Sequence, residues 1–150
     1  MKKILVLFLL LMVGAGMSYA LPFDKYTINR SELPQEAQEM LDTYFPKAKI
    51  GMIKIDKHLL KKPDYEVRLT NGTTIEFSNK GKWREVDCKT REVPQGLISK
   101  PIRNYVSKNF PDVKIVKIEK KSSGYIVELS DDVELKFDLL GIFKGVKIED

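Results

Sequence analysis

Apolar and polar residues alternate with a period of two along several segments of the first half of the chain. Residues 53–56, 65–70 and 74–78 carry apolar side chains at every second position and polar side chains between them. This alternation predicts β-strands that bury one face and leave the other in water. Asn71-Gly72 separates two of these runs, and such a pair predicts a tight hairpin turn. A fourth strand is predicted over 83–88.

The same patterns return about 60 residues further along, a spacing typical of a repeated structural unit. Tyr65–Leu69 reads YEVRL, and its counterpart Tyr125–Leu129 reads YIVEL. Alternation is broken between 83 and 86 and again between 143 and 146. We therefore expect a β-bulge in both strands.

Each set of strand patterns follows a segment with helical periodicity. Apolar residues recur at helical spacing between Pro34 and Pro46. Proline is favoured in the first turn of a helix, and the residue before a proline avoids the helical conformation, so these two prolines should mark the start and the end of the helix. A second helix is predicted from Pro101 to Phe110, with Ser99 placed to cap it. The chain thus predicts an α+β fold of two tandem repeats, each a helical segment followed by a roughly four-stranded antiparallel meander. Since one unit alone is marginally stable, the two should share a core or a continuous sheet.

The first 20 residues have the pattern of a secretory signal peptide. Lys2 and Lys3 precede the apolar run 4–13, which is too short to cross a hydrocarbon core of about 30 Å, and Ser18-Tyr19-Ala20 resembles a cleavage site. We predict a signal peptide over 1–20, a first repeat over 21–90 and a second over 91–150. The mature protein is expected to be periplasmic or secreted, with no stable membrane anchor.

Charge and cysteine content narrow the function further. Removal of Lys2 and Lys3 lowers the formal charge from +5 to about +3, a bias too weak to indicate nucleic-acid binding. Cys88 is the one cysteine of the sequence, and its counterpart in the second repeat is Ile148. Cys88 is therefore interpreted as a buried apolar residue, with a disulfide-linked dimer as the alternative.

The sequence contains no motif that assembles a reaction centre. His58, the one histidine, lies in the loop 57–63 without further ligands at metal-binding spacing. Phosphate-loop, dinucleotide and nucleophile-elbow motifs are absent from the sequence. Asp131-Asp132 is interpreted as a turn. We therefore predict no catalytic residue, no metal site, no cofactor and no enzymatic activity.

Two surfaces are candidates for binding. The first is the polar face of the predicted sheet, with a solvated face of cross-strand ion pairs as the alternative interpretation. Its predicted residues are Lys54, Asp56, Glu66, Arg68, Glu76, Glu119, Ile126, Glu128, Glu134 and Lys136. The second is an apolar hairpin tip, Leu139, Leu140 and Ile142, where the first repeat has Asn79, Lys80 and Lys82. Either another part of the chain or a partner should cover that tip.

Several local motifs, taken together, resemble the PepSY-like domain proteins of Bacteroidetes, a family described as beta-lactamase-inhibitor-like. The resemblance extends over roughly residues 30–148. It rests on Leu33-Pro34, Tyr44–Pro46, Trp83–Cys88, Val93–Gln95, Asn109–Pro111, Gly124–Leu129 and Glu134–Asp138. These motifs mark turns, helix ends and core, so none of them transfers a contact residue.

The resemblance implies export to the periplasm, two tandem helix-plus-sheet units like the beta-lactamase inhibitor protein fold, and no established enzymatic activity. In that fold the face of the sheet binds the target enzyme. That activity is not carried over to this chain, because likeness of fold does not fix function. The duplicated sheet with a free charged face and no catalytic site instead leads to the hypothesis of an exported, non-enzymatic binding or inhibitor-like module that presents its sheet face to a protein or peptide of the cell envelope. The alternative is a periplasmic carrier of a small ligand or envelope polymer.

Overall fold

Nine strands form one antiparallel sheet in the part of the chain that the computed structural model describes, residues 23–57 and 62–147. Each strand pairs with the next one in sequence, so the sheet order is the chain order. The predicted signal peptide, His58 and Ile148 lie outside the described residues. The strands are β1 Lys25–Thr27, β2 Ile50–Asp56, β3 Asp64–Leu69, β4 Thr74–Phe77, β5 Trp83–Asp87, β6 Ile115–Lys121, β7 Gly124–Leu129, β8 Glu134–Asp138 and β9 Phe143–Lys147.

The prediction of an α+β fold made of two tandem helix-plus-meander repeats is wrong. β5 and β6 pair antiparallel across the middle of the chain, with Val86 opposite Ile118. Beyond the paired residues, the Cys88 amide donates a hydrogen bond to the Val116 carbonyl at 2.9 Å. The protein is mostly β, a single sheet with two short helices. The physical reason is that a strand carries hydrogen-bonding groups on both edges, and pairing these two edges satisfies them.

Both predicted helices are present, and both lie on one face of the sheet. They are α1 Gln35–Tyr44 and α2 Lys100–Asn109, each preceded by a short 3-10 turn, Arg30–Glu32 and Gln95–Leu97. Ser99 occupies the N-cap position of α2 as predicted, but its side chain makes no capping hydrogen bond. The helices bring their buried residues into the same core as the inward side chains of the strands.

The centre of the core is a row of aliphatic residues that crosses the sheet at right angles to the strands. Its members are directly opposite one another in the register, and all are 0% exposed: Ile53, Val67, Ile75, Val86, Ile118, Val127 and Leu135. Burial of one such side chain stabilises the fold by roughly 1.5–3 kcal/mol. Cys88 is also buried, as predicted, and burial raises the pKa of its thiol.

Both predicted bulges are present. The register between β4 and β5 shifts next to Trp83, and the register between β8 and β9 shifts next to Phe143. The bulges let Trp83 and Val86 both point towards the helices although two residues separate them. The break in alternation seen in the sequence is therefore a structural feature of the strands.

Replacement of Gly124 by alanine should destabilise the fold severely. Gly124 has φ +150°, and an added Cβ would lie 2.0 Å from the Phe137 carbonyl oxygen of the neighbouring strand. Backbone strain and this clash together should cost about 3 kcal/mol or more of unfolding free energy. Denaturant unfolding measures the loss.

Gly145→Ala is the matched control. Gly145 has nearly the same backbone angle, φ +153°, but an added Cβ would meet nothing within 4 Å. Its loss should therefore be the strain alone, about 1–2 kcal/mol. Equal losses in the two variants would contradict the packing described at Gly124.

Candidate functional site: the open face of the sheet

No described helix covers the sheet face opposite α1 and α2, and we call it the open face. Four glutamates lie directly opposite one another there, one on each of β3 to β6. They are Glu66, Glu76, Glu85 and Glu119, and we call them the glutamate row. Each neighbours a fully buried aliphatic residue of the central core row, so the pleat of the strand directs the glutamate outward.

Three members of the glutamate row have an ion-pair partner. Arg68 Nε lies 2.8 Å from Glu66 Oε1, and Lys117 Nζ lies 3.1 Å from Glu85 Oε1. Glu119 pairs with Lys121 on its own strand. Among the described residues no cation pairs with the fourth member, Glu76, although like charges stand on both sides of it.

The electrostatic surroundings of Glu76 favour its neutral form. Partial burial raises the pKa of its carboxyl, and the charges of Glu85, Glu66 and Glu119 raise it further against the opposing effect of Lys117. Burial also raises the pKa of Glu128 in the adjacent row. Glu76 and Glu128 therefore hold their charge less readily than the same groups in water.

Lys117 is the cation at the centre of this face. Desolvation lowers its pKa, but the hydrogen bond to Glu85 and the charges of Glu85, Asp87 and Glu128 outweigh that effect, so the net shift is upward. At the β2 end of the face, the hydrogen bond to Asp56 and a second carboxylate, Asp24, raise the pKa of Lys54 despite desolvation. Both lysines are thus charged at neutral pH.

The structure places every predicted residue of the polar sheet face on the open face. These are Lys54, Asp56, Glu66, Arg68, Glu76, Glu119, Ile126, Glu128, Glu134 and Lys136. Sequence reasoning missed Glu85, Asp87 and Lys117. The signal was available, because Val86, Cys88 and Ile118 point inward and their strand neighbours must then point outward.

The apolar tip lies apart from the glutamate row, at the turn between β8 and β9. Leu139, Leu140 and Ile142 are 63%, 74% and 54% exposed. The Asp138 carboxylate accepts hydrogen bonds from the Leu140 and Ile142 amides at 3.0 and 2.9 Å, which fixes the turn. The role predicted for the tip in partner contact stays a prediction.

The described residues contain neither a metal site nor a membrane-spanning helix. No group of three or more His, Cys, Asp or Glu side chains there is placed to hold a metal ion. Nor do the described residues include a helix that is both long and apolar enough to cross a membrane.

Comparison with known proteins identifies relatives of the chain. The sequence model of a family described as "Putative beta-lactamase-inhibitor-like, PepSY-like" matches residues 63–144. No match was found among curated proteins.

Solved structures from Bacteroides resemble the chain over most of its length. A "putative periplasmic protein of unknown function" from Bacteroides vulgatus is 36% identical, with a TM-score of 0.80 over 84% of this chain and 100% of the other. A "putative calcium-regulated periplasmic protein" from Bacteroides thetaiotaomicron is 39% identical, with a TM-score of 0.78 over 83% and 97%. A second B. vulgatus periplasmic protein is 36% identical, with a TM-score of 0.77 over 90% and 100%. The predicted periplasmic or secreted location is confirmed.

Neutralisation of Glu76 should stabilise the protein at neutral pH. Glu76→Gln removes a partly buried charge from between two like charges, which should add about 0.5 kcal/mol to the unfolding free energy at pH 7. Because the folded protein holds this proton to higher pH than the unfolded chain, ionisation destabilises the fold above the ordinary pKa of 4.5. The gain should therefore vanish as the pH falls through the folded-state pKa towards 4.5.

Glu66→Gln serves as the control within the same row. That substitution removes the ion pair with Arg68 as well as a charge, so it should bring no gain. Urea unfolding of both variants between pH 4 and 8 makes the comparison. A Glu76→Gln protein less stable than wild type at pH 7 would contradict the electrostatics described for the row.

Polar substitution of the apolar tip should leave stability unchanged. Leu139→Asn with Leu140→Lys alters two exposed side chains, so the unfolding free energy should change by no more than about 0.5 kcal/mol. Leu135→Ala, at a fully buried position of the same strand pair, should cost about 2–5 kcal/mol. A large loss in the tip variant would show that the tip is covered within the protein.

Proposed function

Because the chain belongs to the PepSY-like family, we propose that it is an exported, non-enzymatic binding protein whose open face docks a protein or peptide of the cell envelope. The observation that supports this proposal most directly is the glutamate row. It lies on a face that no described helix covers, and it concentrates charge of one sign along four adjacent strands.

The fold itself does not require the glutamate row. Like charges directly opposite one another on a sheet destabilise it by roughly 0.2–1 kcal/mol a pair, and neutral polar residues would fit the same outward positions. Glu76 adds to this cost because it has no counter-ion among the described residues. A feature that lowers stability on an exposed surface is better explained by recognition than by folding.

The charge pattern indicates the chemistry of the partner. Adjacent strands are about 4.8 Å apart, so four glutamates extend for roughly 14 Å across the sheet. Lys54 on β2 and Lys136 on β8 lie in the same cross-strand row, beyond the two ends of the glutamates. A basic segment of a protein or peptide would be attracted to the glutamates and repelled at both flanks, which would define where it docks.

Calcium is the other cationic ligand to consider, since one similar structure is that of a "putative calcium-regulated periplasmic protein". Calcium takes six to eight oxygen ligands that converge on one point. The glutamate row instead spreads its carboxylates along a line, and no described group of three or more acidic side chains converges. The geometry therefore favours an extended basic partner over a single ion.

A small-ligand carrier is the second candidate function, and one cleft favours it. Between α1 and the segment 96–99 that leads into α2 lies a depression of about 300 Å³ with amphipathic and aromatic walls, including Tyr44, Trp83 and Tyr125. Such side chains provide large apolar contact together with a polar group. This volume is at the lower limit of pockets that hold small molecules.

Glu76→Lys tests the docking proposal without putting the fold at risk. The new cation would stand between Glu66 and Glu85, so the melting temperature should hold or rise, while the charge offered to the partner is inverted. Glu39→Lys makes the same charge change on the exposed side of α1. Wild type and both variants are immobilised, and proteins captured from a periplasmic extract of the native host are quantified by mass spectrometry.

Wild type and Glu39→Lys should capture the same proteins, and Glu76→Lys should lose at least one of them by tenfold or more. Addition of a calcium chelator should not change the result. Capture by Glu76→Lys equal to that by wild type would contradict docking on the open face. Absence of any specific protein, together with a melting temperature that rises in small-molecule extract, would favour the carrier function.

A further inference from the structure

A surface cavity lies on the helix side of the sheet, away from the open face. It occupies about 370 Å³ between α2, the segment 92–98 that leads to it, and the segment 111–115 that follows it. Its apolar wall consists of Ile98, Val106, Val113 and Ile115. The volume suits a small molecule of modest size.

Arg103, on the first turns of α2, lines this cavity and differs from the other arginines of the described chain. Its side chain is half-buried, and its Nε–H is buried without any hydrogen-bond acceptor. No carboxylate oxygen of the described residues lies within ion-pairing distance of it. An Nε–H group that has lost water and gained no acceptor is an unfavourable arrangement unless a ligand supplies the acceptor.

The four other arginines all have partners. Arg30 pairs with Asp42 at 2.7 Å, Arg68 with Glu66 at 2.8 Å and Arg84 with Asp64 at 2.9 Å. Arg91 donates to the Asn71 carbonyl. Each arginine of the described chain except Arg103 thus has an ion-pair or hydrogen-bond partner.

The charged side chains that line the cavity determine which ligand charge it favours. Lys100 and Arg103 contribute two positive charges, and Glu92 contributes one negative charge. The net charge of about +1 matches a singly charged anion and disfavours a doubly charged phosphate monoester. Asn104 and Gln95 add amide groups that can donate or accept hydrogen bonds.

We propose that this cavity binds a small organic carboxylate with a short apolar chain, anchored by Arg103. The planar guanidinium can donate two parallel hydrogen bonds to a carboxylate, a geometry that an ammonium group lacks. The apolar wall would take up the chain of the ligand. Either a free small carboxylate or the C-terminal carboxylate of a peptide carries this chemistry. The proposal does not depend on the function assigned to the open face.

Titration with N-acetyl-L-leucine, followed by NMR, tests this site. Its neutral analogue N-acetyl-L-leucinamide has the same chain without the charge. The acid should shift the Arg103 Nε–H resonance and the amides of α2 and the segment 111–115, whereas the amide analogue should bind at least tenfold more weakly. N-acetyl-Ala-Ala-Leu distinguishes the two ligand sources. If it binds more tightly than N-acetyl-leucine, the ligand is the C-terminus of a peptide. If the two bind equally, the ligand is a small carboxylate.

Variants locate the anchor. Arg103→Gln should weaken binding of N-acetyl-leucine at least tenfold. Lys108→Gln removes the same charge from an exposed position of α2 that does not line the cavity, and it should bind like wild type. Glu92→Gln, also at an exposed position, should bind a few-fold more tightly because a like charge is removed.

Three results would overturn the proposal. The first is equal binding of the acid and its amide, and the second is equal binding by wild type and Arg103→Gln. The third is that none of the carboxylates moves the Arg103 Nε–H resonance of wild type. The third readout needs no variant, so the proposal can be refuted even if Arg103→Gln fails to fold.

Discussion

The pairing of β5 with β6 is the interaction on which the rest of this structure depends. Three residue pairs join the two strands, and two further backbone hydrogen bonds, from the Cys88 and Val93 amides, extend the connection. This pairing makes one sheet of the strands before and after it. It therefore places both helices on one face and leaves the opposite face continuous from β2 to β9.

Each face of this junction has its own stabilising contact. On the helix side, Lys120 Nζ lies 3.6 Å from the centre of the Trp83 ring, a cation–π contact between the two strands. On the open side, Lys117 pairs with Glu85 across the same strands. These contacts offset the repulsion between Glu85 and Glu119, which stand directly opposite each other at the junction. The glutamate row exists as a continuous feature because this pairing holds.

Aromatic packing fixes helix α2 to the sheet in addition to the buried side chains of Ile102 and Val106. The Tyr105 ring stacks on Phe143 with centroids 4.4 Å apart and meets the edge of Phe137 at 5.5 Å. The bulge in β9 directs Phe143 towards the helix. The helix thus has a defined position relative to the segment 111–115, and the cavity that Arg103 lines lies between them.

Much of the local structure could be predicted from the sequence, because its causes are local. A period of two identifies inward and outward positions, so most of the open face was predicted, and comparison of the two halves of the chain predicted both bulges and the burial of Cys88. The same period does not indicate which other strand pairs with the edge of a given strand. Tyr65–Leu69 and Tyr125–Leu129 look alike whether they belong to two repeated units or to one sheet, so the sequence left a shared core and a continuous sheet both open, and the two-repeat fold was predicted wrongly. The unpaired Nε of Arg103 depends on distant segments meeting around it, and no pattern along α2 indicates that.

Native-state hydrogen exchange at the Cys88 amide tests the continuity of the sheet most directly. This amide bonds to the Val116 carbonyl across the junction, so it should exchange with the free energy of global unfolding, as should the central amides of β3 and β7. Exchange at a much lower free energy than those amides would contradict that continuity. The two halves would then open independently, and the glutamate row would not be one surface.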